Sequence, residues 1–319
     1  MLQVNSVVDG KYRIIAEIGH GGMSTVWLAN HERLNMTVAI KEYHKADMSH
    51  RVVLRREVDI LKNLAHPGLP SIIDLVETHE MLLLVMTYIE GESLDQLLKR
   101  QGAQPQDRVI DWGKQLCSIL GYLHSRTPSI IYVDIKPANM ILRPDGQLVL
   151  VDFGAAINYK LDEPLGLTFG YAAPELHNAR KQMDVRTDIY SIGVTLYQLV
   201  TGETPTTSHV CKHIRQSDPS LSVGLEQIIE KCTQRNPDQR FQSVDELEHA
   251  LDALYLIDKR SFGRRISAFW ATRKTKKMGN STEWEADNDI SHVTEEPDMI
   301  RYNAEQLSYV QSDTGYTTM

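Results

Sequence analysis

Four side chains with phosphate and metal chemistry stand close together in this sequence. Asp134, Lys136 and Asn139 fall within Tyr132-Val133-Asp134-Ile135-Lys136-Pro137-Ala138-Asn139, and Asp152 opens Asp152-Phe153-Gly154. Carboxylates and an amide oxygen are hard donors that suit a magnesium-like cation, an ammonium group neutralises polyphosphate, and a carboxylate can accept the proton of a hydroxyl. Between the two stretches Met140 to Val151 reads as an apolar run, a Pro144-Asp145-Gly146 turn and a second apolar run. That is a hairpin pattern, and one so short holds all four groups around a small volume.

The elements upstream must supply the rest of such a site. Tyr12 to Ala29 reads strand, glycine turn, strand, with Gly19, Gly21 and Gly22 in the turn. Glycines let backbone approach a ligand closely and aim N–H groups at phosphate oxygens. The segment lacks the Gly-Lys-Ser/Thr ending and following helix of the nucleoside triphosphatase phosphate loop. Thr37 to Glu42 is an apolar strand carrying Lys41, and Val52 to Leu64 has the apolar spacing of a helix. On that helix Glu57 shares a side with Leu61, one turn away, so it faces inward and needs a cationic partner; Lys41 is the evident one. Ser71 to Leu75 and Met81 to Met86 read as strands, Ser93 as the cap of a helix through Leu98, and Asp107 to His124 as a long amphipathic helix. Asp184 to Val200 is apolar on every side, which predicts full burial and requires hydrogen bonds for Asp188.

In this order the motifs resemble those of eukaryotic-like serine/threonine protein kinases of the bacterial type. The resemblance covers about residues 10 to 255 and ends in Ala173-Pro174-Glu175 and Asn236-Pro237-Asp238-Gln239-Arg240. It implies an α+β bilobal protein-kinase fold: a small β-rich lobe with one helix over 10–86, a hinge over 87–92 and a larger helical lobe over 93–256. It implies ATP and Mg2+, with Mn2+ as a substitute. Asp134 would orient the substrate hydroxyl, Lys136 would neutralise the transferring phosphoryl, the Lys41–Glu57 pair would hold the α and β phosphates, and Asn139 and Asp152 would bind metal. The nucleotide would be lined by Ile18, Gly19, Gly21, Val26, Ala39, Lys41, Met86 and Ile141, with backbone near Thr87 and Ile89 meeting adenine. Lys136 together with Thr168 resembles the serine/threonine class; the substrates implied are proteins bearing Ser or Thr, this chain included. Glu175 would pair with Arg240, and Asp188 would accept from the backbone of the catalytic loop.

Three departures stand out. Ser24 sits where a third glycine is common. Tyr132 replaces the usual histidine, where an aromatic ring can fill the same place behind Phe153. Val133 replaces the arginine that commonly precedes the catalytic aspartate, whose buried charge awaits a phosphorylated loop. Between Gly154 and Thr168 only Tyr159 carries a hydroxyl, and Asp162 and Glu163 already bring negative charge. Activity without phosphorylation of that segment is the expectation. The alternative is a pseudokinase that binds ATP or a partner; it draws on Tyr132, Val133 and on Leu167 in place of a glycine.

Composition agrees with an enzyme of ordinary globular type. The chain has 319 residues, 42% hydrophobic residues and a net charge of −8, enough for two lobes and poorly suited to nucleic acid as main partner. Cys117, Cys211 and Cys232 are widely spaced and suggest neither a disulfide framework nor a zinc site, which fits the cytosol. No secretory signal and no apolar run of roughly 18 residues is present. The segment 257–277 is basic, with eight basic residues and no acidic ones between Lys259 and Lys277, and Phe262, Ile266, Phe269 and Trp270 at helical spacing. It suits either a peripheral contact with an anionic membrane or partner, or a last helix on the large lobe. Residues 278–319 are acidic and polar, a composition that predicts disorder, with Ser308, Thr314, Thr317 and Thr318 open to self-phosphorylation.

Overall fold

The computed structural model describes residues 2–21, 24–44, 48–77, 81–158, 168–177, 183–205 and 213–254. The expectations for Gly22, Tyr159, Asp162, Glu163, Leu167, Cys211 and the whole of 257–319 lie outside the described residues. The chain divides after Arg265 into two units, and every described residue belongs to the first. Among the described residues no helix is long and apolar enough to cross a membrane.

The small lobe is an antiparallel sheet of six strands in the order β1-β2-β3-β4-β6-β5. They are β1 (Val7–Val8), β2 (Tyr12–His20), β3 (Thr25–His31), β4 (Met36–His44), β5 (Ile72–Glu77) and β6 (Met81–Thr87), with helix α1 (Met48–Leu61) following β4. Residues directly opposite one another in an antiparallel pair share a face. The register puts Val26, Lys41 and Leu84 in one row and Leu28, Ala39 and Met86 in the next, all on the inner face. The outer face carries Trp27, Ala29, Val38, Ile40, Leu83 and Val85 and is buried as well, together with Leu2, Val8, Tyr12 and Ile14. A sheet apolar on both sides has strands without clean polar alternation, which is why Met81 to Met86 reads as one continuous apolar run.

The larger lobe begins at β7 (Glu92–Ser93) and α2 (Leu94–Gln101). Ser93 and Gln96 form a reciprocal capping box, so the helix starts where the sequence predicts and runs three residues past Leu98. Helix α3 (Gln106–His124) buries Trp112, Leu116, Ile119, Leu120 and Leu123 on the expected stripe. After β8 (Ile130–Ile131) come β9 (Met140–Leu142) and β10 (Leu148–Leu150), paired as the predicted hairpin, and then β11 (Ile157–Asn158). Helix α4 (Val185–Thr201) is buried at every residue from Thr187 to Val200. The short α5 (Ile214–Ser217), α6 (Val223–Cys232) and α7 (244–254) complete the lobe. Four short strands were not legible. Two-residue strands β1, β7 and β8 with its partner β11 are set by tertiary pairing, and the mixed polarity of 155–170 hid the last of them.

One core continues from α1 through Phe153 and Tyr132 into α3, α4, α6 and α7. Where α4 meets α6, Gly193 lets the helices touch: a Cβ there would press on Cys232 and lie 2.9 Å from Thr233 Cγ2. Gly193→Ala is therefore expected to cost about 1–3 kcal/mol through overpacking, read as a lower urea midpoint with an unchanged slope.

Candidate active site

Lys41, on the inner face of β4, is buried and salt-bridged to Glu57 of α1 through both carboxylate oxygens at 2.9 Å. A third partner is Asp152 Oδ1 at 2.7 Å. Burial alone would lower the lysine's proton affinity, yet Asp152 and then Glu57 outweigh it and hold its pKa well above the ordinary value. The Lys41 charge in turn keeps the Asp152 carboxyl below its usual range. Lys41 is thus held as a cation beside Asp152, a carboxylate whose side chain is 48% exposed. Glu57 accepts two more hydrogen bonds, from Tyr43 Oη at 2.6 Å and from the Phe153 amide at 3.2 Å. Those bonds tie α1, β4 and the Asp152-Phe153-Gly154 stretch together. Tyr43 escaped the sequence reading, although it stands two residues after Lys41 and so shares its strand face.

A second cluster forms around Asp134. Its Oδ2 accepts from Lys136 Nζ at 2.7 Å and Asn139 Nδ2 at 2.9 Å, and its Oδ1 accepts from Thr168 Oγ1 at 2.6 Å. Lys136 also donates to Thr168 Oγ1 at 2.7 Å, so a hydroxyl already bridges the carboxylate and the ammonium group. Asn139 commits its amide nitrogen to Asp134, to the main-chain oxygen as well as the carboxylate, so it is the amide oxygen that can face a cation. Its carbonyl accepts from the Val151 amide at 2.9 Å, which joins the Asp134 stretch to the strand leading to Asp152.

The loop that carries Asp134 is strained and held in place. Val133 has φ +72°, a rare conformation for a β-branched residue that costs on the order of 1–3 kcal/mol. Asp188, fully buried in α4, accepts from the amides of Tyr132 at 2.9 Å and Val133 at 2.8 Å and from His124 Nε2 at 2.8 Å. The expected role of Asp188 is therefore seen as geometry; the His124 partner was missed, though it sits one turn after Leu120 on the buried side of α3.

Tyr132 does more than fill space behind Phe153. Its ring meets Phe153 edge to face at 5.1 Å, and its hydroxyl donates to the carbonyls of Val151 and Asp152, the latter at 3.0 Å. Burial pushes this phenol well above its ordinary pKa, so it remains a donor. Val133 packs in a small apolar cluster with Ile131, Ala155 and Ile157, against Leu176 and Met183.

The residues expected around a nucleotide fall on the inner sheet face, the strands beside it and the β9 hairpin. Val26, Ala39, Lys41 and Met86 share the inner sheet face, Gly19 pairs with Val26, and the Gly21 amide donates to Ser24 O at 2.9 Å. Ile18, in the irregular part of β2, is 45% exposed. Ile141 touches the Thr87-to-Glu92 link at Gly91, whose φ of +149° and close approach to Leu142 O require glycine. Thr87 gives its N–H to Ser71 O at 2.9 Å, and Ile89 is half-buried. Downstream, Glu175 and Arg240 form a buried bidentate pair at 2.7 and 2.8 Å.

Comparison with known proteins matches the model of the protein kinase domain over residues 12–254. The chain is 32% identical to sperm motility kinase 2B of Mus musculus, over 75% of this chain and 51% of that protein. It is 31% identical to the serine/threonine-protein kinase PknA of Corynebacterium glutamicum, over 88% of this chain and 64% of that one. A probable serine/threonine-protein kinase of Clostridium acetobutylicum is 28% identical over 95% of this chain and 48% of its own length. The chain thus spans about half to two thirds of the length of these relatives. With the matched region running from the first long strand to the last helix of a bilobal fold built around both clusters, the chain belongs to the protein kinase domain family.

Proposed function

We propose that this chain is a serine/threonine protein kinase that transfers the γ-phosphoryl group of ATP to protein hydroxyls. The observation that carries the reading is the pair of assembled clusters, Lys41–Glu57–Asp152 and Asp134–Lys136–Thr168, each within hydrogen-bond distance. Lys41, fixed by Glu57, holds the α and β phosphates. Asp134 orients the acceptor hydroxyl and takes its proton as the new P–O bond forms and the bond from the γ-phosphorus to the bridging oxygen of ADP breaks, releasing ADP, and Lys136 neutralises charge on the phosphoryl in flight. Asn139 and Asp152 offer an amide oxygen and a carboxylate, a hard donor set that fits Mg2+ or Mn2+. Bound metal would supply neutralisation of phosphate charge. Val26, Ala39, Met86, Ile18 and Ile141 supply apolar walls for adenine. Positioning and electrostatics make up most of the catalysis, so a preformed arrangement matters more than reactivity of any one group.

The same reading extends to regulation. The site of the usual arginine is taken by Val133, 3% exposed among apolar neighbours, so no buried cation there waits for a phosphate. A sample treated with phosphatase is expected to keep its full rate toward a protein substrate, and loss of that rate overturns phosphate independence. The basic segment 259–277, read from sequence alone, is assigned to contact with an anionic surface or partner.

The direct test incubates the full chain with labelled ATP and Mg2+, beside Asp134→Asn. Label on the chain or on a protein substrate, absent from the variant, is the expected result. No transfer by the unmodified chain, with ATP bound, would make the pseudokinase the better reading.

A further inference from the structure

The outer face of the small lobe is closed by the chain's own first residues. Leu2 is 6% exposed and packs with Trp27, Ile40 and their neighbours. The segment is pinned by main-chain bonds from Asn5 N–H to Ile14 O at 2.8 Å and from Ile14 N–H to Ser6 O at 2.9 Å. Val7–Val8 then pairs with β2 as its edge strand. At the other end the Leu2 amide reaches the carboxylate of Glu42, at 3.2 Å from Oε1 and 3.4 Å from Oε2. Glu42 is 1% exposed and also accepts from Trp27 Nε1 at 2.8 Å.

Glu42 is the next residue after Lys41 and points to the opposite face of β4. Its direct partner on β3 is Thr25, where the chain returns from the glycine turn, and Lys41 stands opposite Val26. We propose that residues 2–8 are a strap which, through Glu42 and Trp27, positions the returning strand and Lys41 from behind and so sets the affinity for ATP. The inference rests on the proposed nucleotide-binding role of Val26 and Lys41. Among its described residues the glycine turn is bonded locally, from Gly21 N–H to Ser24 O at 2.9 Å and between Thr25 Oγ1 and His20 Nδ1 at 3.3 Å. The strand that leads out of the turn is braced on the outer side by a buried carboxylate that the strap helps satisfy. Anything that displaces the strap weakens nucleotide binding without entering the cleft. Glu42 and Trp27 act as positioning residues, and neither touches the reacting atoms.

The test uses the full chain with Leu2→Asp, which sets a second carboxylate beside Glu42, with Leu2→Met as the conservative change and Trp27→Phe as a variant that removes one N–H donor and keeps the ring. Dissociation constants for a non-hydrolysable ATP analogue with Mg2+, KM for ATP, kcat at saturating ATP and hydrogen exchange over residues 19–27 are measured well below the unfolding range. Leu2→Asp and Trp27→Phe are expected to weaken analogue binding and raise KM, the former about tenfold, with faster exchange in 24–27 and kcat within about twofold; Leu2→Met stays at the wild-type values. A lowered thermal midpoint with KM and exchange unchanged overturns the proposal and leaves a merely structural strap. Should Leu2→Asp fail to fold, Trp27→Phe decides by the same readouts. If the unmodified chain binds no analogue, the nucleotide reading itself fails, and the proposed link to affinity falls with it.

Discussion

Asp134→Asn is expected to lower kcat toward a protein substrate by about 10³-fold while KM for ATP stays within about twofold and the thermal midpoint hardly moves. Asparagine has the same shape, and the groups that meet the carboxylate are all donors: Thr168 Oγ1 at 2.6 Å, Lys136 Nζ at 2.7 Å and Asn139 Nδ2 at 2.9 Å. One amide oxygen can keep one or two of them, but the amide nitrogen then faces a donor. The hydroxyl bridging Asp134 and Lys136 loses its acceptor, and an incoming substrate hydroxyl would lose both its orienting bond and the base for its proton. Because the transition state needs little covalent help, most of the loss comes from misplacing the nucleophile rather than from missing basicity. Nucleotide affinity is expected to be spared because Lys41, Glu57 and Asp152, the groups proposed to hold the phosphates, form a separate cluster. Steady-state kinetics with a thermal melt decides the matter. A kcat within tenfold of the unmodified chain would remove Asp134 from the role assigned to it.

Whether a side chain's partner was legible in the sequence depended on whether period or topology fixed it. Glu57 was placed correctly because helical spacing alone turns it inward, and an inward carboxylate has few acceptable partners. The 140–151 hairpin carried its turn in Pro144-Asp145-Gly146, and the burial of α4 followed from its lack of a polar face. The bonds of Tyr132 could not be read in that way. A tyrosine hydroxyl that reaches carbonyls 19 and 20 residues ahead depends on how two loops stack, and no local spacing encodes that. The same holds for φ +72° at Val133, where propensity argues against the observed conformation and Asp188 overrides it from 55 residues away. Glu42 shows a third case. A charged residue ending an apolar strand reads as a surface group, whereas Trp27 and the return of residues 2–8 over the outer face make it a buried acceptor.

Arg240→Leu is expected to cost about 3–5 kcal/mol, the largest stability effect among these substitutions and roughly 10 °C in thermal midpoint for a domain of this size. The guanidinium is fully buried, donates to both oxygens of Glu175 at 2.7 and 2.8 Å, and also serves the carbonyls of Gln234 and Arg186 at 2.8 and 2.9 Å. Leucine fills much of the volume but leaves a carboxylate that is 2% exposed and, among the described residues, is met by the Thr187 hydroxyl at 3.1 Å. The cost is therefore dominated by the stranded charge rather than by the lost attraction. Glu175→Gln in the Arg240→Leu background removes that charge, and the double variant should regain more than half of the lost midpoint; a double variant no more stable than the single would refute the stranded charge as the cause. Glu175 stands in the short helical turn Pro174–His177, directly after the segment that holds Thr168 against Asp134. Loosening the pair frees that segment at its far end, so the single variant should also lose activity below its melting temperature, in step with a weakened hold on the bridging hydroxyl.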